Sequence, residues 1–278
     1  MRGTVRKMRG ERNAETGPDG QEQPLRYFLP LDDLLLPMNE LIGRHVTIRA
    51  SEGIRCVGCG RASKKSFSQG YCYPCFIKLA ACDLCIMKPE TCHYHLGTCR
   101  EPAWGEQHCM IPHIVYLANS TGLKVGITRE TQIPTRWIDQ GAGQALPIFR
   151  VATRRLSGLI EVALAAHVAD KTKWQALVKG EYAPLDLPAE RDRLLAEAAD
   201  VLAALEAEYP DGIERLQAEV VELSYPVDAY AAKAKSLSPD KELASGVLTG
   251  IKGQYLLFDT GVLNVRKFTG HEWEITVS

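Results

Sequence analysis

The sequence lacks any apolar run long enough to cross a lipid bilayer, and no apolar signal-peptide core follows its charged first dozen residues. We therefore expect a cytoplasmic protein with no membrane partner. The chain also lacks an excess of either charge, because 33 Lys and Arg residues against 34 Asp and Glu residues give a formal net charge of −1. This balance excludes a uniformly basic protein, so any surface that binds nucleic acid must be local.

Cysteine is absent outside one stretch, and all nine cysteines lie between Cys56 and Cys109. Thiols stay reduced in the cytosol, and repeated Cys-x-x-Cys pairs are more typical of zinc sites than of disulfides. The stretch therefore predicts two structural zinc ions, which would replace the apolar core that a short segment cannot build.

The first four cysteines follow the spacing C-x2-C-x12-C-x2-C. Each Cys-x-x-Cys turn brings two sulfurs to one side of a tight loop, so two such turns supply the corners of a tetrahedron. Four thiolates leave no open position for a substrate, so we expect a structural site. Its predicted ligands are Cys56, Cys59, Cys72 and Cys75.

The second group offers five cysteines for four ligand positions. The predicted ligands are the third Cys-x-x-Cys pair and the two cysteines that follow it: Cys82, Cys85, Cys92 and Cys99. Cys109 or His93 is an alternative ligand, because both lie close to this group in sequence. An iron–sulfur cluster is the alternative to zinc at this site.

The order of the elements predicts an α+β fold. The polar N-terminal segment is typical of a disordered tail, whereas alternating apolar residues around Val46 predict a strand, which must find partners in another sheet. The predicted units are a disordered tail (1–25), an N-terminal strand region that pairs with the C-terminal sheet (26–55), a zinc-binding cysteine-rich module (56–110), a hairpin-and-helix domain (111–180), a helical hairpin (181–225) and a small C-terminal β-barrel or meander (226–278).

The helical hairpin is predicted from apolar residues at helical spacing. One set runs from Leu194 to Leu205 and the other from Ile213 to Leu223, with Pro210 between them.

A β-hairpin is predicted directly after the cysteines. Residues 114–118 (IVYLA) and 123–128 (LKVGIT) have strand character, and the turn Asn119–Gly122 joins them. A short helix is expected over Pro134–Asp139, with proline in its first turn. A second helix is expected over 158–169, with Ser157 as its N-cap.

This order of elements resembles the GIY-YIG nuclease superfamily over residues 111–180. Ile114–Tyr116 stands at the first motif and Lys124–Gly126 at the second. Arg136 takes the position of the helical arginine, and Glu161 that of the glutamate on the next helix. The resemblance implies a GIY-YIG-like domain that acts on nucleic acid as a divalent-metal-dependent phosphodiesterase, similar to an endonuclease.

The resemblance also implies a role for each matched residue. Glu161 would hold a Mg²⁺ or Mn²⁺ ion that stabilises charge on the scissile phosphate. Arg136 would bind the phosphate through its planar guanidinium group. The Tyr116 hydroxyl, or a water that it orients, would accept the proton of the nucleophile.

Three more residues are predicted to contribute to a nucleic-acid surface. Lys124 stands where the superfamily usually has a second tyrosine, and it would add a positive charge. Arg129 would extend the basic surface. Trp137 would stack on a base, or it would lie in the core, which is the more common place for a tryptophan directly after a cleft arginine. The late asparagine of the superfamily has no clear counterpart, and the histidine often found after the arginine is absent.

A larger part of the chain, residues 35–270, resembles a bacterial family whose domain is of unknown function. The segments that match this family are FSQGYCYPC, CDLCIMKPETCH, GTCREPAWGE, VYLANSTGLKVGITR, RWIDQGAGQAL and GIKGQYLLFDTGVLNVRKFTG. This resemblance implies bound zinc and a GIY-YIG-like core, but it brings no activity with it.

Two alternatives to catalysis fit the same sequence. The first is a catalytically inactive module that binds DNA, RNA or a ribonucleoprotein through local basic residues. The second is a protein-interaction scaffold that uses the acidic helices predicted over 181–225. The sequence does not indicate an oligomeric state.

Overall fold

The computed structural model describes residues 1–13, 23–169 and 173–278, which form a mixed helix and sheet fold. The strands of the described residues, β1 to β15, are Arg2–Thr4, Arg9–Glu11, Arg26–Leu31, Leu34–Pro37, His45–Arg55, Ala62–Ser63, His113–Asn119, Leu123–Arg129, Gln144–Val151, Ile213–Arg215, Val221–Glu222, Ala244–Lys252, Tyr255–Phe258, Gly261–Asn264 and His271–Val277. The α-helices, α1 to α7, are Tyr73–Lys78, Pro102–His108, Thr135–Asp139, Arg154–Ala165, Trp174–Val178, Leu187–Glu197 and Ala199–Glu208. Short 3-10 helices span Asn39–Leu41, Ala80–Cys82, Leu84–Ile86, Pro89–Thr91, Tyr94–Leu96, Glu130–Gln132 and Val265–Phe268.

The strands form three antiparallel sheets. The largest has the order β1–β15–β5–β12–β13–β14, and β6 pairs with β5 outside this path. Because β5 lies between β15 and β12, strands from the two ends of the chain share one sheet. The second sheet has the order β10–β9–β7–β8, with β11 also paired to β9, and the third has the order β2–β3–β4.

The first residues of the chain belong to these sheets, so the prediction of a disordered tail over residues 1–25 is wrong for residues 2–11. β1 pairs with β15, and β2 pairs with β3. Val5 and Met8 are fully buried between them. Two apolar anchors and backbone pairing with the edges of existing sheets therefore order a polar segment. Residues 14–22 of the predicted tail lie outside the described residues.

β7 and β8 form an antiparallel hairpin. The Asn119 side-chain oxygen closes its turn by accepting the Gly122 N–H at 3.2 Å. The other edge of β7 pairs with β9, a strand that the sequence analysis did not predict. Pro147 lies in β9 opposite Tyr116, next to a shift in register, and proline is tolerated at such irregularities. β7 is consequently buried along its whole length.

The two faces of β7 belong to different apolar cores. Ile114, Tyr116 and Ala118 belong to a core that includes buried residues of the largest sheet. Val115 and Leu117 belong to a second core, which includes buried residues of α4, α6 and α7. Successive side chains of a strand point to opposite faces, so this sheet lies between the C-terminal β module and the helices.

Helix α4 begins earlier than predicted, at Arg154. Its N-cap is Thr153, whose hydroxyl accepts the Leu156 N–H at 3.3 Å. The predicted cap, Ser157, lies inside the helix, where its hydroxyl donates to the Arg154 carbonyl at 2.7 Å. Both side chains can cap a helix, and the sequence alone did not distinguish them.

The helical hairpin predicted over 181–225 is wrong in its second half. The first predicted helix is present as α6 and α7, which meet at Ala198. The segment 213–223 instead forms β10 and β11, both paired with β9. Because β7 covers only one edge of β9, the other edge offers unpaired backbone groups to the segment. In the part of the chain that the structure describes, no helix combines the length and apolar character needed to span a membrane.

A buried lysine connects the segment after α5 to the C-terminal sheet. The Lys252 ammonium at the end of β12 lies 5.4–5.7 Å from the ring centres of Tyr182, Tyr225 and Tyr230. Burial lowers the pKa of Lys252 to about 8, and the negative faces of the three rings favour the charged form. This cage packs Tyr182, Tyr225 and Tyr230 around the end of β12.

Candidate functional site

The first cysteine cluster brings four thiols together. The sulfur atoms of Cys56, Cys59, Cys72 and Cys75 all lie within 4.8 Å of one another. The Cys59 and Cys72 sulfurs are 3.8 Å apart, close to the edge of about 3.8 Å in a tetrahedron whose metal–sulfur bonds are about 2.3 Å. This cluster could therefore hold a metal ion such as zinc.

Local backbone geometry prepares one of these thiols for a metal. The N–H groups of Cys72 and Gly58 point at the Cys56 sulfur, at 3.2 Å and 3.4 Å. Burial acts to raise the pKa of Cys56, but the backbone donors outweigh it and lower that pKa to about 6. The thiolate, which is the form that binds a metal ion, is favoured at neutral pH.

Four other cysteines line a small cavity of about 10 Å³ beside α2. They are Cys85, Cys92, Cys99 and Cys109. The volume is roughly that needed by a single water molecule. This set could also hold a metal ion, but its sulfur atoms lie farther apart than those of the first cluster. Among the described residues, the first cluster is the one all-cysteine group whose sulfur atoms lie within 4.8 Å of one another.

The cavity differs from the predicted second site at one position. Cys82 does not line it, and its thiol instead interacts with the Ser68 side chain and with Cys56 of the first cluster. Cys109, the alternative ligand, takes its place. Cys82 is the last residue of the 3-10 helix Ala80–Cys82, whereas Cys85 lies in the next 3-10 helix, Leu84–Ile86.

His93, the other alternative, is already engaged through both ring nitrogens. Its Nδ1 lies 2.8 Å from the Thr98 hydroxyl, and its Nε2 lies 3.6 Å from a carboxylate oxygen of Asp83. Asp83 also pairs with Arg100 at 2.6 Å. Although Asp83, Cys85 and His93 are close enough for a metal, these contacts favour a supporting role for the histidine.

The cysteine-rich module packs tightly against α4. A Cβ atom on Gly158 would lie 2.4 Å from the backbone nitrogen of Glu90 and 2.7 Å from Cβ of Pro89, so only glycine fits there. Arg154 lies one turn before Gly158. Its guanidinium group donates to the Ile86 carbonyl at 2.7 Å, and its backbone N–H donates to the Cys109 carbonyl at 2.8 Å. Arg154 therefore joins α4 to two backbone carbonyls of the cysteine-rich module.

Tyr116 lies on β7 behind the surface of the candidate site. It is fully buried, and its hydroxyl donates to the Gln140 side-chain oxygen at 2.9 Å. Its ring covers Gly126 of β8, where a Cβ atom would lie 2.7 Å from the tyrosine ring. Burial raises the pKa of Tyr116 to about 12, and nearby Arg136 opposes the increase.

Trp137 does not reach the surface. It is 2% exposed and packs edge-on against the Tyr116 ring, with ring centres 5.8 Å apart. The prediction that Trp137 stacks on a base is therefore wrong, because the residue after Arg136 on α3 points into the core.

Glu161 is the carboxylate around which the predicted cations gather. Burial raises its pKa, and the charges of Arg154, Lys124 and Arg136 oppose that increase. Glu90 of the cysteine-rich module also acts on it and raises the pKa further. Arg136 and Glu161 thus act electrostatically on Tyr116, and Lys124 and Arg136 on Glu161. Of these four predicted residues, Lys124 alone lines one of the two clefts that flank the cluster.

Two clefts flank this cluster. One, of about 300 Å³, is lined by Lys124 and Gln140 and reaches the C-terminal sheet. The other, of about 170 Å³, is lined by Arg129 and Arg154 and lies beside the cysteine-rich module. The predicted surface residue Arg129 therefore lies in a separate cleft from Lys124.

Sequence reasoning did not assign a role to Arg154, Glu90 or Gln140. In the sequence, Arg154 is one of many basic residues. It lies seven residues before Glu161, which places both residues on the same face of a helix. Glu90 comes from another module, and Gln140 follows the end of α3. Nothing in a single sequence indicates that these segments meet.

The chain belongs to the family described as "Protein of unknown function (DUF2797)", which matches residues 43–273. This confirms the resemblance to a family of unknown function. No curated protein and no solved structure matches the chain.

If the cavity holds a second metal ion, its lining predicts which cysteines bind that ion. We expect Cys109→Ser to bind about one metal ion fewer per chain than the wild type, because it removes a thiolate from the cavity. Cys82→Ser is the matched control and is expected to retain the wild-type content. Metal content per chain, measured by elemental analysis of the purified proteins, checks this. Loss of metal in Cys82→Ser with full retention in Cys109→Ser would contradict the assignment.

Proposed function

We propose that this protein binds nucleic acid, and that its hairpin and two following helices are a GIY-YIG-like unit that holds a phosphodiester group. The main support is the gathering of Lys124, Arg136 and Arg154 around a half-buried carboxylate, Glu161. Even with Glu90 counted, cations outnumber carboxylates in this cluster. A concentrated positive charge on a chain with a net charge of −1 is a local anion site, as polyanion binding requires.

Each cation would contact the phosphate in its own way. Arg136 presents a planar group that can donate two parallel hydrogen bonds to phosphate oxygens. Lys124 lies on the edge strand β8 and would act as a point charge. Arg154 is largely buried, so it would keep Glu161 in place and add to the field without touching the ligand.

Two zinc ions would make the cysteine-rich module rigid enough to support this site. The first would bind Cys56, Cys59, Cys72 and Cys75. The second would bind the four thiols of the cavity beside α2, two of which, Cys85 and Cys109, act electrostatically on Arg154. Both would be structural, because four thiolates fill the coordination sphere of zinc.

Metal-dependent cleavage of the bound strand is a second candidate function, favoured by the position of Glu161 beside Tyr116 and Arg136. Glu161, helped by Glu90, would hold a Mg²⁺ or Mn²⁺ ion that neutralises charge on the phosphate. Because the pKa of Tyr116 is raised to about 12, its hydroxyl stays protonated at neutral pH. It would orient a nucleophilic water rather than take its proton.

Binding ranks ahead of cleavage for an electrostatic reason. Three cations close to Glu161 attract an anion and repel a divalent cation. In addition, Tyr116 is fully buried, so a substrate would reach its hydroxyl only if Gln140 moved.

Binding through phosphates predicts a specific response to loss of Lys124. We expect Lys124→Gln to weaken binding of a single-stranded oligonucleotide on the order of tenfold, since it removes one charged contact. The slope of log affinity against log salt should decrease by about 0.7, as one fewer counterion is released. Fluorescence anisotropy of labelled DNA and RNA over a salt series measures both quantities.

Lys241→Gln is the control for this experiment, because Lys241 is exposed and lies far along the chain from the cluster. It should leave affinity and salt slope unchanged. An affinity that does not change with salt concentration, or an equal decrease in affinity for both variants, would contradict the proposed site.

Cleavage is tested separately with Glu161→Gln, which keeps the size of the side chain and removes its charge. If Glu161 holds a divalent cation, the wild type should cut labelled DNA or RNA in Mg²⁺ or Mn²⁺, and the variant should lose at least about a hundredfold in rate. Gel analysis of the products measures this. Absence of cleavage by the wild type, or equal rates for both proteins, would remove the second candidate and leave binding intact.

A further inference from the structure

The cleft of about 300 Å³ next to Lys124 is formed by four parts of the chain. The hairpin turn supplies Ser120 and Thr121, and the start of α5 supplies Trp174 with its N-cap Lys173. The end of α3 and the C-terminal sheet supply further lining residues. Its volume is at the lower end of the range for small-ligand pockets. It has room for one flat group of nucleobase size, but not for a base pair.

The charges that line this cleft favour an anion. Lys124, Lys173 and Arg266 contribute three positive charges. Among the described lining residues the one carboxylate is Asp139, and it is already paired with Lys7 at 2.5 Å and with the Gln254 amide at 2.9 Å. The cleft therefore keeps a net positive charge next to the cluster around Glu161.

The cleft also contains an aromatic platform. Trp174 and Tyr255 lie nearly parallel, at 8° between ring planes and 6.2 Å between ring centres. Trp174 is the first residue of α5 and stays 36% exposed, whereas Trp137 and Trp273 are buried in the core. An exposed tryptophan face beside several cations suits a ligand that is both flat and anionic.

We infer that this cleft binds one unpaired nucleotide of a single-stranded nucleic acid, with the base stacked on Trp174 and the flanking phosphates held by Lys124 and Arg266. The inference rests on the proposed function and specifies its ligand. Cations and a π face in one cleft are the combination that sequence-tolerant single-strand binding uses.

Two of the amide side chains that line the cleft are already engaged, whereas the Thr121 hydroxyl and the Asn264 side-chain oxygen, which also line it, have no hydrogen-bond partner. The Gln254 amide is fully used, since it accepts the Met8 N–H at 2.9 Å and donates to the Met8 carbonyl and to Asp139. The Gln140 oxygen accepts the Tyr116 hydroxyl. Stacking is available to every base, so the π face and the phosphates should supply most of the binding energy.

The test separates stacking from phosphate binding by using two ligands. One is a labelled single-stranded twelve-thymidine DNA, and the other is the same strand with all bases removed. We expect Trp174→Ala to bind the normal strand about tenfold more weakly than the wild type, and to bind the abasic strand equally well. Trp174→Phe should stay within about threefold on both, because it keeps a π face. Anisotropy at constant salt measures the affinities.

Tyr73→Ala is the matched control, since Tyr73 is 56% exposed and lies in the cysteine-rich module, outside the cleft. It should leave both affinities unchanged. If Trp174→Ala does not fold, the wild type alone still decides the matter, because it must bind the normal strand more tightly than the abasic strand.

The possible failures are distinguishable. If Trp174→Ala and the wild type bind the normal strand equally while Lys124→Gln binds it more weakly, the nucleotide subsite is wrong and the proposed function stands. If the wild type binds the two strands equally, stacking is likewise excluded. If the wild type binds neither strand, nor the RNA equivalent, at low salt, both the subsite and the proposed function fail.

Discussion

The candidate site depends on the contact between the cysteine-rich module and α4. At this contact the 3-10 helix Pro89–Thr91 lies so close to Gly158 that no side chain fits between them. Glycine in a helix interior costs roughly 0.5–1 kcal/mol relative to alanine, and the close approach offsets that cost by packing. Arg154 and Glu161 lie on the same face of the helix as Gly158, so the contact that docks the module also determines where the charged side chains lie.

The opposite face of α4 explains why the helix can carry these charges. Leu156, Ile160 and Leu164 are buried in the core shared with β7 and β9, and they fix the helix on the sheet. The polar face is then enclosed by the cysteine-rich module rather than by more apolar residues. Burial raises the pKa of Glu161, and the surrounding cations are needed to keep it charged. In our account, metal binding, helix docking and the phosphate site are therefore coupled.

Local patterns determined what the sequence could predict. The apolar run at 114–118, its turn and the lysine–glycine motif predict a hairpin, and β7 and β8 form one. The Cys-x-x-Cys spacing predicts the first cluster, because its ligands lie within nineteen residues or so of each other in two tight turns. The strand around Val46 needed partners, and β5 pairs with β12 and β15 of the C-terminal region.

The structure departs from the predictions where the conformation of a segment depends on contacts with distant parts of the chain. The segment that begins at Ile213 has apolar residues at helical spacing, but it forms strands because β9 offers an open edge. β9 itself was not predicted, because Pro147 interrupts the residue pattern that is typical of a strand. Cys109, rather than Cys82, lines the second cavity, and the ligands of a second metal ion stay a prediction. Glu90 and Gln140 enter the site from separate modules, which no local signal can reveal.

The most direct test of this account is the stability of Gly158→Ala, measured as the free energy of unfolding in denaturant with metal bound. If the cysteine-rich module packs against α4 as described, the added methyl group must displace the backbone of Pro89 and Glu90, and the variant should be less stable by about 1–3 kcal/mol. If that contact does not exist, alanine should instead stabilise the helix by roughly 0.5–1 kcal/mol. A gain in stability would therefore contradict the central claim.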